Sequence, residues 1–536
     1  MNTLPFDRFG VMLDCSRNAV RSLPTLKKMV DLLQAMGYNT LMLYMEDTFE
    51  VMHQPYFGYL RGRYSIAELQ EIDRYARERG MEVVPCIQTL AHINAITRWD
   101  CYYQMIDCED ILLIDDERTY RLIDDMMASL AEAFSGRLIN VGMDEAYLFG
   151  LGKYREEHGD PDRFALFSRH VRRVAEIARK YGFSPMMWSD MYYRCIQGTY
   201  IGHTAIPEHV REAVPENMSL VYWDYYSSDR ERYHRMIASH REFGRPLWFA
   251  GGAWTWNGEV PDNRFAMRSL EAGLTECIQA GIRQAFVTLW GDNGGECSCF
   301  AALPALWHAA ELARGNTDSA ESARRFEEIV GMSYEDFLEM DLPEAPGKRE
   351  DGPRNPEKYM LYNDCFSGIY DSTAVPEQAA AYGREAARLE PLRKHGTWGY
   401  LFESHYRLCR VMELKYSLGL RTRAVYAAGD REAMRGLTAE YRELSARLRA
   451  YYEAFRRQWM EENKPYGFDV QDIRLGGLMC RVQHCTERLQ AWADGDAESI
   501  AELEEPLLDA QENPAGFTQK PLLHNNWSRT ATACVL

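Results

Sequence analysis

Short apolar runs recur at regular intervals along roughly the first 315 residues of the chain. They are rich in Val, Ile, Leu, Met and Tyr, which is typical of strands buried on both faces of a parallel sheet. Nearly every run ends in polar, acidic or indole residues. The pattern predicts eight strands, at residues 9–14, 40–47, 82–89, 138–145, 184–190, 219–226, 246–254 and 284–292.

Amphipathic segments separate these runs and predict helices. In the first segment, Leu26, Met29, Leu32 and Leu33 form one apolar stripe, and Gly37 follows as a C-cap. Eight strand-then-helix units predict a (β/α)8 barrel, an α/β fold. An open, doubly wound sheet is the alternative. It is disfavoured because no glycine-rich dinucleotide turn follows the first strand.

The strand pattern stops after Gly315, and long amphipathic segments from Pro376 to about Glu505 predict a helical bundle. A stretch rich in Pro, Gly and charge separates the two patterns and predicts a linker. We therefore expect a barrel domain at 1–340, a linker at 341–358 and an all-α C-terminal domain at 359–536. The bundle carries more apolar stripes than it needs for its own core, which predicts a homodimer through this domain.

Charge and cysteine content narrow the class of protein. The chain has 61 basic and 80 acidic residues, a formal charge of -19, which argues against nucleic acid or an anionic membrane as a partner. No apolar run approaches the length of a membrane span, and the N-terminal residues do not resemble a signal peptide. The thirteen cysteines are scattered and odd in number. We therefore expect reduced thiols and a cytoplasmic location.

The C-terminal ends of the strands form the active site of such a barrel, and here they carry carboxylates and indoles. Indole faces pack against the C–H faces of a sugar ring, and carboxylates accept hydrogen bonds from hydroxyls, so the pattern favours a neutral carbohydrate. The sequence has no phosphate-binding loop and no metal-binding motif, so neither a metal nor an organic cofactor is expected. The candidate residues at the strand ends include Asp14, Glu46, Asp47, Gln88, His92, Asp144, Glu145, Trp188, Asp190, Trp223, Asp224, Tyr225, Trp254, Trp256, Trp290 and Asp292.

The fourth run, Leu138 to Met143, leads directly into two adjacent carboxylates, Asp144 and Glu145. Adjacent residues at one strand end cannot easily flank a glycosidic bond as acid and nucleophile. One carboxyl, with a pKa raised by apolar neighbours and by its partner's charge, could instead protonate the leaving oxygen. The other would orient a 2-acetamido group of the substrate, whose carbonyl oxygen then attacks the anomeric carbon.

Seven motifs resemble glycoside hydrolase family 20, the β-N-acetylhexosaminidases, in the order in which that family carries them. They are VMLDCSR, LYMEDTFE, PCIQTLAH, VGMDEA, MMWSD, YWDYY and TLWGD. The helical C-terminal region resembles one subgroup of the family. The resemblance implies an exo-acting enzyme that removes terminal β-linked GlcNAc or GalNAc with retention of configuration, through an oxazolinium intermediate.

The resemblance also assigns roles to individual residues. It implies that Glu145 is the general acid and later the base, and that Asp144 orients the acetamido group. His92 matches the family histidine of the third strand, and Asp47 matches an acidic position of the second. The remaining substrate-binding candidates, from the resemblance or from the strand ends, are Asp14, Trp188, Trp223, Trp254, Trp290 and Asp292.

Several family positions are filled differently here, among them Asn140, where the family often has a histidine, and Asp292, where it usually has a glutamate. Phe9 stands where the family has an arginine that binds sugar hydroxyls, so Arg8, one residue earlier, is the candidate for that role. Thr255 stands where the family has a tyrosine that holds the acetamido oxygen, and Tyr225 is the candidate substitute. These differences leave the preference between GlcNAc and GalNAc open.

Two other functions are compatible with parts of the pattern. A retaining glycosidase with an enzyme carboxylate as nucleophile would usually carry that residue after the seventh strand, but FAGGAWTWNG has no carboxylate before Glu259. A non-catalytic sugar-binding barrel would keep the indoles but would not need the Asp144–Glu145 pair. Both are therefore alternatives to the hexosaminidase.

Overall fold

The computed structural model describes residues 5–201, 205–256, 258–344, 346, 355–371, 374 and 376–507. By its internal contacts the chain divides into two compact units. The first comprises Met1–Ala253, Ala266–Trp290 and Ala305–Arg325. The second comprises Trp254–Phe265, Gly291–Pro304 and Phe326–Leu536. Among the described residues, none of the helices is long and apolar enough to cross a membrane.

The first unit contains a closed barrel of eight parallel strands, as predicted. Its strands are β1 (Arg8–Asp14), β2 (Thr40–Tyr44), β3 (Glu82–Cys86), β6 (Leu138–Asn140), β7 (Ser184–Trp188), β8 (Ser219–Trp223), β9 (Leu247–Gly252) and β10 (Gln284–Leu289). Neighbours in this order pair with each other, and β10 closes on β1. A short antiparallel hairpin, β4 (Ile106–Cys108) and β5 (Ile111–Leu112), lies between β3 and β6 in the chain.

The strands are buried along almost their whole length, which explains why they appear as continuous apolar runs. In β1, Val11, Met12 and Leu13 have no exposed surface. Leu13 lies beside Leu43 of β2 and Leu289 of β10 in the register. Side chains of such a strand alternate between the barrel interior and the surrounding helices, so both sets must be apolar.

Helices follow the strands with the predicted alternation. The first, α1, begins after Ser22, whose side chain accepts a hydrogen bond from the Thr25 N–H, and it ends at Gly37, which has φ +92°. The helices up to residue 330 are α1 (Leu23–Met36), α2 (Ile66–Arg77), α3 (Asn94–Thr97), α4 (Glu117–Ala133), α5 (Lys153–His158), α6 (Arg163–Lys180), α7 (Asp190–Gln197), α8 (Glu208–Ala213), α9 (Arg230–Arg241), α10 (Asn263–Gln279), α11 (Leu303–Arg314) and α12 (Ser319–Val330).

The second unit is helical, which confirms the predicted change of pattern. Helix α18 (Arg431–Glu462) has one buried stripe at helical spacing, formed by Leu444, Leu448, Tyr451, Phe455 and Trp459. It packs against α16 (Gly399–Lys415) and α19 (Phe468–Asp494). The remaining helices of the chain are α13 (Tyr334–Leu338), α14 (Pro356–Tyr362), α15 (Glu377–Leu389), α16 (Gly399–Lys415), α17 (Leu418–Ala427), α18 (Arg431–Glu462), α19 (Phe468–Asp494) and α20 (Ala501–Glu504).

The boundary between the units differs from the predicted linker at 341–358. Phe326 and the residues after it already belong to the second unit, so both sides of that stretch lie in one unit. Residues 345 and 347–354 of the predicted linker lie outside the described residues. The charged composition was misleading because some of the charge is buried and paired: the Nζ atom of Lys358 lies 3.0 Å from an oxygen of Glu296, and both side chains are almost fully buried.

Candidate active site

The turn after β6 brings the two adjacent carboxylates to one histidine. Met143 and Glu145 have φ of +73° and +53°, and His92 has φ +55°. Residues other than glycine rarely adopt this left-handed region, and those that do cluster at active sites. The Nε2 atom of His92 lies 3.4 Å from the Oδ2 atom of Asp144 and 3.8 Å from the Oε2 atom of Glu145. The predicted trio is therefore assembled at the C-terminal end of the barrel strands.

Asp144 and His92 form a half-buried ion pair. Burial raises the pKa of Asp144, but the His92 charge and a hydrogen bond from Gln88 outweigh it, so this pKa lies below its usual value. Burial lowers the pKa of His92, but the Asp144 charge outweighs it and raises the pKa of the imidazole to about 9. Both groups are therefore charged at neutral pH.

Gln88, at the end of β3, fixes the Asp144 carboxylate from the other side. Its Nε2 atom donates to Asp144 Oδ1 at 2.7 Å and to the Tyr44 hydroxyl at 2.8 Å, and its Oε1 atom accepts from the Met143 N–H at 3.1 Å. Gly142 has φ +74°, and a Cβ atom there would lie 2.1 Å from Gln88 Oε1. Only glycine fits this approach, so the glycine before the acid pair is a requirement of the site.

Glu145 is held through its backbone and its side chain. Its N–H donates to Asp190 Oδ2 at 3.0 Å, and its Oε1 atom accepts from the Tyr147 hydroxyl at 2.8 Å. Asp190, the first residue of α7, is fully buried, and its pKa is raised to about 7 by burial and by the negative charges of Asp144 and Glu145. The Nε atom of Arg194 lies 3.5 Å from the same Asp190 oxygen. The Glu145 side chain remains 39% exposed and is therefore open to a substrate.

Arg17, in the loop after β1, lies at the same end of the barrel beside two of its aromatic side chains. Its guanidinium lies 4.8 Å from the ring centre of Tyr44 and 5.0 Å from that of Trp290, which are cation–π distances. It pairs with Asp14 at 2.9 Å and with Glu46 at 3.4 Å. The other oxygen of Asp14 accepts the N–H groups of Ser16 and Arg17, so Asp14 holds the loop that presents the guanidinium.

The prediction that Arg8 binds the sugar is wrong. Arg8 is the first residue of β1 and pairs with Glu82, the first residue of β3. Both therefore lie at the N-terminal end of the barrel, whereas the site lies at the C-terminal end. Strand direction could have corrected this, because in the motif VMLDCSR only Arg17 follows the strand.

Aromatic side chains line the same end of the barrel. Trp188 and Trp290 have ring centres 6.0 Å apart. Tyr44 and Trp290 make an edge-to-face contact with ring centres 4.7 Å apart. Trp223 stacks on Tyr225 at 5.4 Å. The indole N–H groups of Trp188 and Trp223 are buried and have no hydrogen-bond partner among the described residues. Buried donors of this kind are suited to an oxygen of a bound ligand.

The other predicted binding residues are distributed as follows. Asp47 is buried and pairs with Arg61 at 3.3 Å, and burial raises its pKa although Arg61 opposes the shift. Trp254 and Asp292 belong to the second unit. Trp254 is buried and stacks on Trp256 with ring centres 4.3 Å apart, while Asp292 is half-buried in the turn after β10. Their roles in binding stay predictions.

The structure adds residues to which sequence reasoning assigned no role. Gln88 and Asp190 stood at strand ends, but their partners were not evident. Tyr44 is a strand residue whose hydroxyl donates to Glu46 at 3.1 Å and accepts from Gln88. Tyr147 follows the acid pair by two residues, and residues two apart on a helix do not face each other, so nothing in the sequence indicated this contact.

Two family models match separate parts of the chain. Residues 6–243 match the catalytic domain of glycosyl hydrolase family 20, and residues 335–520 match the Glycoside Hydrolase 20C C-terminal domain. The chain belongs to glycoside hydrolase family 20. The predicted family and the predicted type of C-terminal domain are thereby confirmed.

The sequence identity to individual relatives is low. Hexosaminidase D of Homo sapiens is 26% identical over 270 residues, which are 47% of this chain and 51% of that protein. Hexosaminidase D of Bos taurus is 26% identical over 247 residues, 43% of this chain and 65% of that protein. The chain thus spans about half to two thirds of the length of these two curated relatives. The solved GH20 exo β-N-acetylglucosaminidase from Vibrio harveyi in complex with N-acetylglucosamine has 16% identity and a TM-score of 0.49, with 63% of this chain and 58% of that chain covered.

Proposed function

We propose that the protein is an exo-acting β-N-acetylhexosaminidase that hydrolyses terminal β-linked GlcNAc or GalNAc by a retaining, substrate-assisted mechanism. The observation that carries the proposal is the Asp144–Glu145 pair after β6, with both carboxylates beside the imidazole of His92. Membership of family 20 supports it, because hydrolases of that family use the 2-acetamido group of the substrate as nucleophile.

The charges of the site match the two roles this mechanism needs. Asp144 is negative at neutral pH because of its ion pair with His92. It can therefore accept a hydrogen bond from the acetamido N–H and stabilise the positive charge that develops on the oxazolinium ring. Glu145, with its side chain open to solvent, donates a proton to the glycosidic oxygen and later removes one from the attacking water.

The pairing of the other carboxylates favours this mechanism over an enzyme nucleophile. Among the described residues, no arginine or lysine nitrogen lies within 4.0 Å of the carboxylates of Asp144 or Glu145. A carboxylate neutralised by an arginine is a weaker nucleophile, so carboxylates paired in this way do not suit that role. The paired carboxylates are Asp14 and Glu46 with Arg17, Asp47 with Arg61, Asp190 with Arg194, and Asp224 with Arg232.

The same pairing suits a neutral sugar. Arg17 is positioned by Asp14 and Glu46 and stacked on Tyr44, so its guanidinium is a candidate donor to sugar hydroxyls. The indoles of Trp188, Trp223 and Trp290 supply apolar faces for the ring and the acetamido methyl group. Trp254 and Asp292 stay candidate binding residues from the sequence.

A substrate panel tests the proposal. We expect release of aryl leaving groups from N-acetyl-β-glucosaminides or N-acetyl-β-galactosaminides and little release from β-glucosides, which lack the acetamido group. A thiazoline that mimics the bicyclic intermediate should bind tightly. Equal turnover of plain glucosides, or trapping of the enzyme by a fluoro-sugar, would show an enzyme nucleophile instead.

The acid itself is tested with Glu145→Gln. We expect about a 10²–10⁴-fold loss of turnover on substrates with poor leaving groups, with ligand affinity largely kept. Glu117→Gln is the matched control, since Glu117 is exposed and pairs only with Arg173 in the described structure. If the wild-type protein binds N-acetylhexosamines but releases nothing, the sugar-binding barrel is the better description.

We also propose that the second unit forms a homodimer. Met460, Tyr466 and Ile473 lie around the connection between α18 and α19 and are 46%, 45% and 74% exposed. Three exposed apolar side chains within fourteen residues of sequence make this connection a candidate interface. Ile473→Asp should shift the protein to monomer in sedimentation velocity, whereas a wild-type protein that is monomeric at micromolar concentration would exclude the dimer.

We also propose that the protein is located in the cytoplasm. The cysteines in the described part of the chain are all free thiols, including the exposed Cys101 and Cys480. Free exposed thiols are usual in reducing compartments. Cell fractionation should recover the protein with soluble cytoplasmic markers, and recovery in a secreted fraction would contradict this.

A further inference from the structure

Tyr147 has no role in the proposed mechanism, yet it contacts the carboxylate of Glu145. Its hydroxyl donates to Glu145 Oε1 at 2.8 Å, and its ring is 43% exposed. The pKa of the phenol is raised by burial and by the Glu145 charge, so Tyr147 keeps its proton and acts as a donor. A hydrogen bond from a neutral hydroxyl to a carboxylate is among the stronger ones in proteins.

The Tyr147 ring is itself fixed by the same group that holds the Glu145 backbone. The guanidinium of Arg194 lies 4.5 Å from the centre of the Tyr147 ring. The Nε atom of Arg194 lies 3.5 Å from Asp190 Oδ2, the oxygen that accepts the Glu145 N–H. Glu145, Tyr147, Arg194 and Asp190 therefore form a closed circuit of contacts around the acid.

This circuit distinguishes the two oxygens of Glu145. Oε1 accepts the Tyr147 hydrogen bond, while Oε2 lies 3.8 Å from His92 Nε2, on the side of Asp144. Because Oε1 already accepts the Tyr147 hydroxyl, Oε2 is the oxygen that remains available to carry the proton of the acid. That oxygen faces the ion pair of His92 and Asp144, where the acetamido group and the scissile bond must lie in the proposed mechanism.

We propose that Tyr147 is a positioning residue for the general acid: its hydroxyl holds Glu145 Oε1 so that Oε2 delivers the proton to the leaving group. The inference rests on the proposed function. Arg194 and Asp190 support it by fixing the ring and the backbone of the acid, so the circuit orients one catalytic side chain from two directions. No contact between Tyr147 and the substrate is required.

Tyr147→Phe tests the role of the hydroxyl, because phenylalanine keeps the ring that Arg194 contacts. The readout is kcat/KM on two N-acetyl-β-glucosaminides, one with 2,4-dinitrophenol and one with phenol as leaving group. The first leaves without protonation, whereas the second needs the acid. Tyr103→Phe is the matched control, since Tyr103 is a 66% exposed tyrosine on the loop after β3 and no part of the site.

We expect Tyr147→Phe to lower kcat/KM on the phenyl substrate by about ten-fold, the factor that corresponds to one hydrogen bond to a charged group. On the dinitrophenyl substrate, kcat/KM should change by less than about two-fold. The loss on the phenyl substrate should appear in kcat, with KM unchanged. Tyr103→Phe should match the wild type on both. A general loss of structure would instead lower kcat/KM equally on both substrates.

Two results would overturn the inference while leaving the proposed function in place. One is wild-type kcat/KM for Tyr147→Phe on the phenyl substrate. The other is an equal loss on both substrates, which would indicate a structural or binding role of the hydroxyl. A wild-type protein inactive on both substrates would instead reject the proposed function, and the inference with it.

Discussion

The folded structure shifts the pKa of Asp190, and this shift can be tested through the pH dependence of stability. Its carboxyl is fully buried beside two other acidic groups, and its pKa is raised from 3.8 to about 7. In the unfolded chain the group returns to its ordinary value. Between these two pH values the folded state binds a proton that the unfolded state has lost, so stability falls as pH rises through this window.

The magnitude follows from the two pKa values. Each pH unit within the window costs about 1.4 kcal/mol, and the cost levels off above the folded pKa, so the wild type should lose about 2–3 kcal/mol of unfolding free energy between pH 5 and pH 8 through this group. Asp190→Asn removes the ionisation, while the amide oxygen can still accept the Glu145 N–H. The variant should therefore match the wild type at pH 5 and exceed its stability at pH 8.

Thermal or urea unfolding at the two pH values measures the difference. For a unit of this size, about 2–3 kcal/mol corresponds to a relative rise in Tm of roughly 5 °C at pH 8. Asp116→Asn is the control, because Arg118 holds the pKa of Asp116 below its usual value and both states are ionised from pH 5 to pH 8. Its stability relative to the wild type should not depend on pH in this range.

A stability difference between Asp190→Asn and the wild type that is the same at pH 5 and pH 8 would refute the raised pKa of Asp190.

A second pair of variants identifies the cause of the raised pKa. In an Asp144→Asn background one of the two neighbouring negative charges is gone, so the pH-dependent gain from Asp190→Asn should shrink. An undiminished gain would assign the effect to burial alone.

Three other predictions concern the site directly. Asp144→Asn should lower kcat on aryl N-acetyl-β-glucosaminides by about 10²–10³-fold, because the acetamido group loses its orienting charge, and unchanged turnover would contradict the assignment. Gly142→Ala should lower both Tm and activity, because the added Cβ would lie 2.1 Å from Gln88 Oε1; Gly80→Ala, with φ +71° but nothing within 4 Å, is the control for backbone strain alone. Arg17→Gln should raise KM by about ten-fold and also lower Tm, because it leaves the Asp14 and Glu46 carboxylates without their cation, and an unaffected KM would exclude a role in binding hydroxyls.

Much of the fold was predictable because its signals are local. A strand buried on both faces must be apolar along its length, and a surface helix must carry an apolar stripe, so the alternation along the chain indicated eight strands and their helices. The direction of the strands then placed the C-terminal residues of each at one end. For this reason the acid pair, His92 and the indoles of Trp188, Trp223 and Trp290 could be proposed together from their positions alone.

The tertiary structure decided what depends on distance and burial. Arg8 and Arg17 flank the same strand, and only the barrel shows that the first lies at the wrong end and that the second stacks on Tyr44 and Trp290. The charged stretch around Lys358 looked like a linker, but its ion pair with Glu296 is formed across some sixty residues of sequence and is buried.

The sequence by itself determined the order of the elements and the residue types at the strand ends, since both are properties of neighbouring positions. It did not determine which carboxyl has a pKa near 7 or which hydroxyl contacts the acid. The pKa of Asp190 depends on the loss of water and on charges 45 residues away in the chain, and the Tyr147 contact depends on a turn with left-handed backbone. Electrostatic energy and hydrogen bonding act through space, so only the folded chain assigns them.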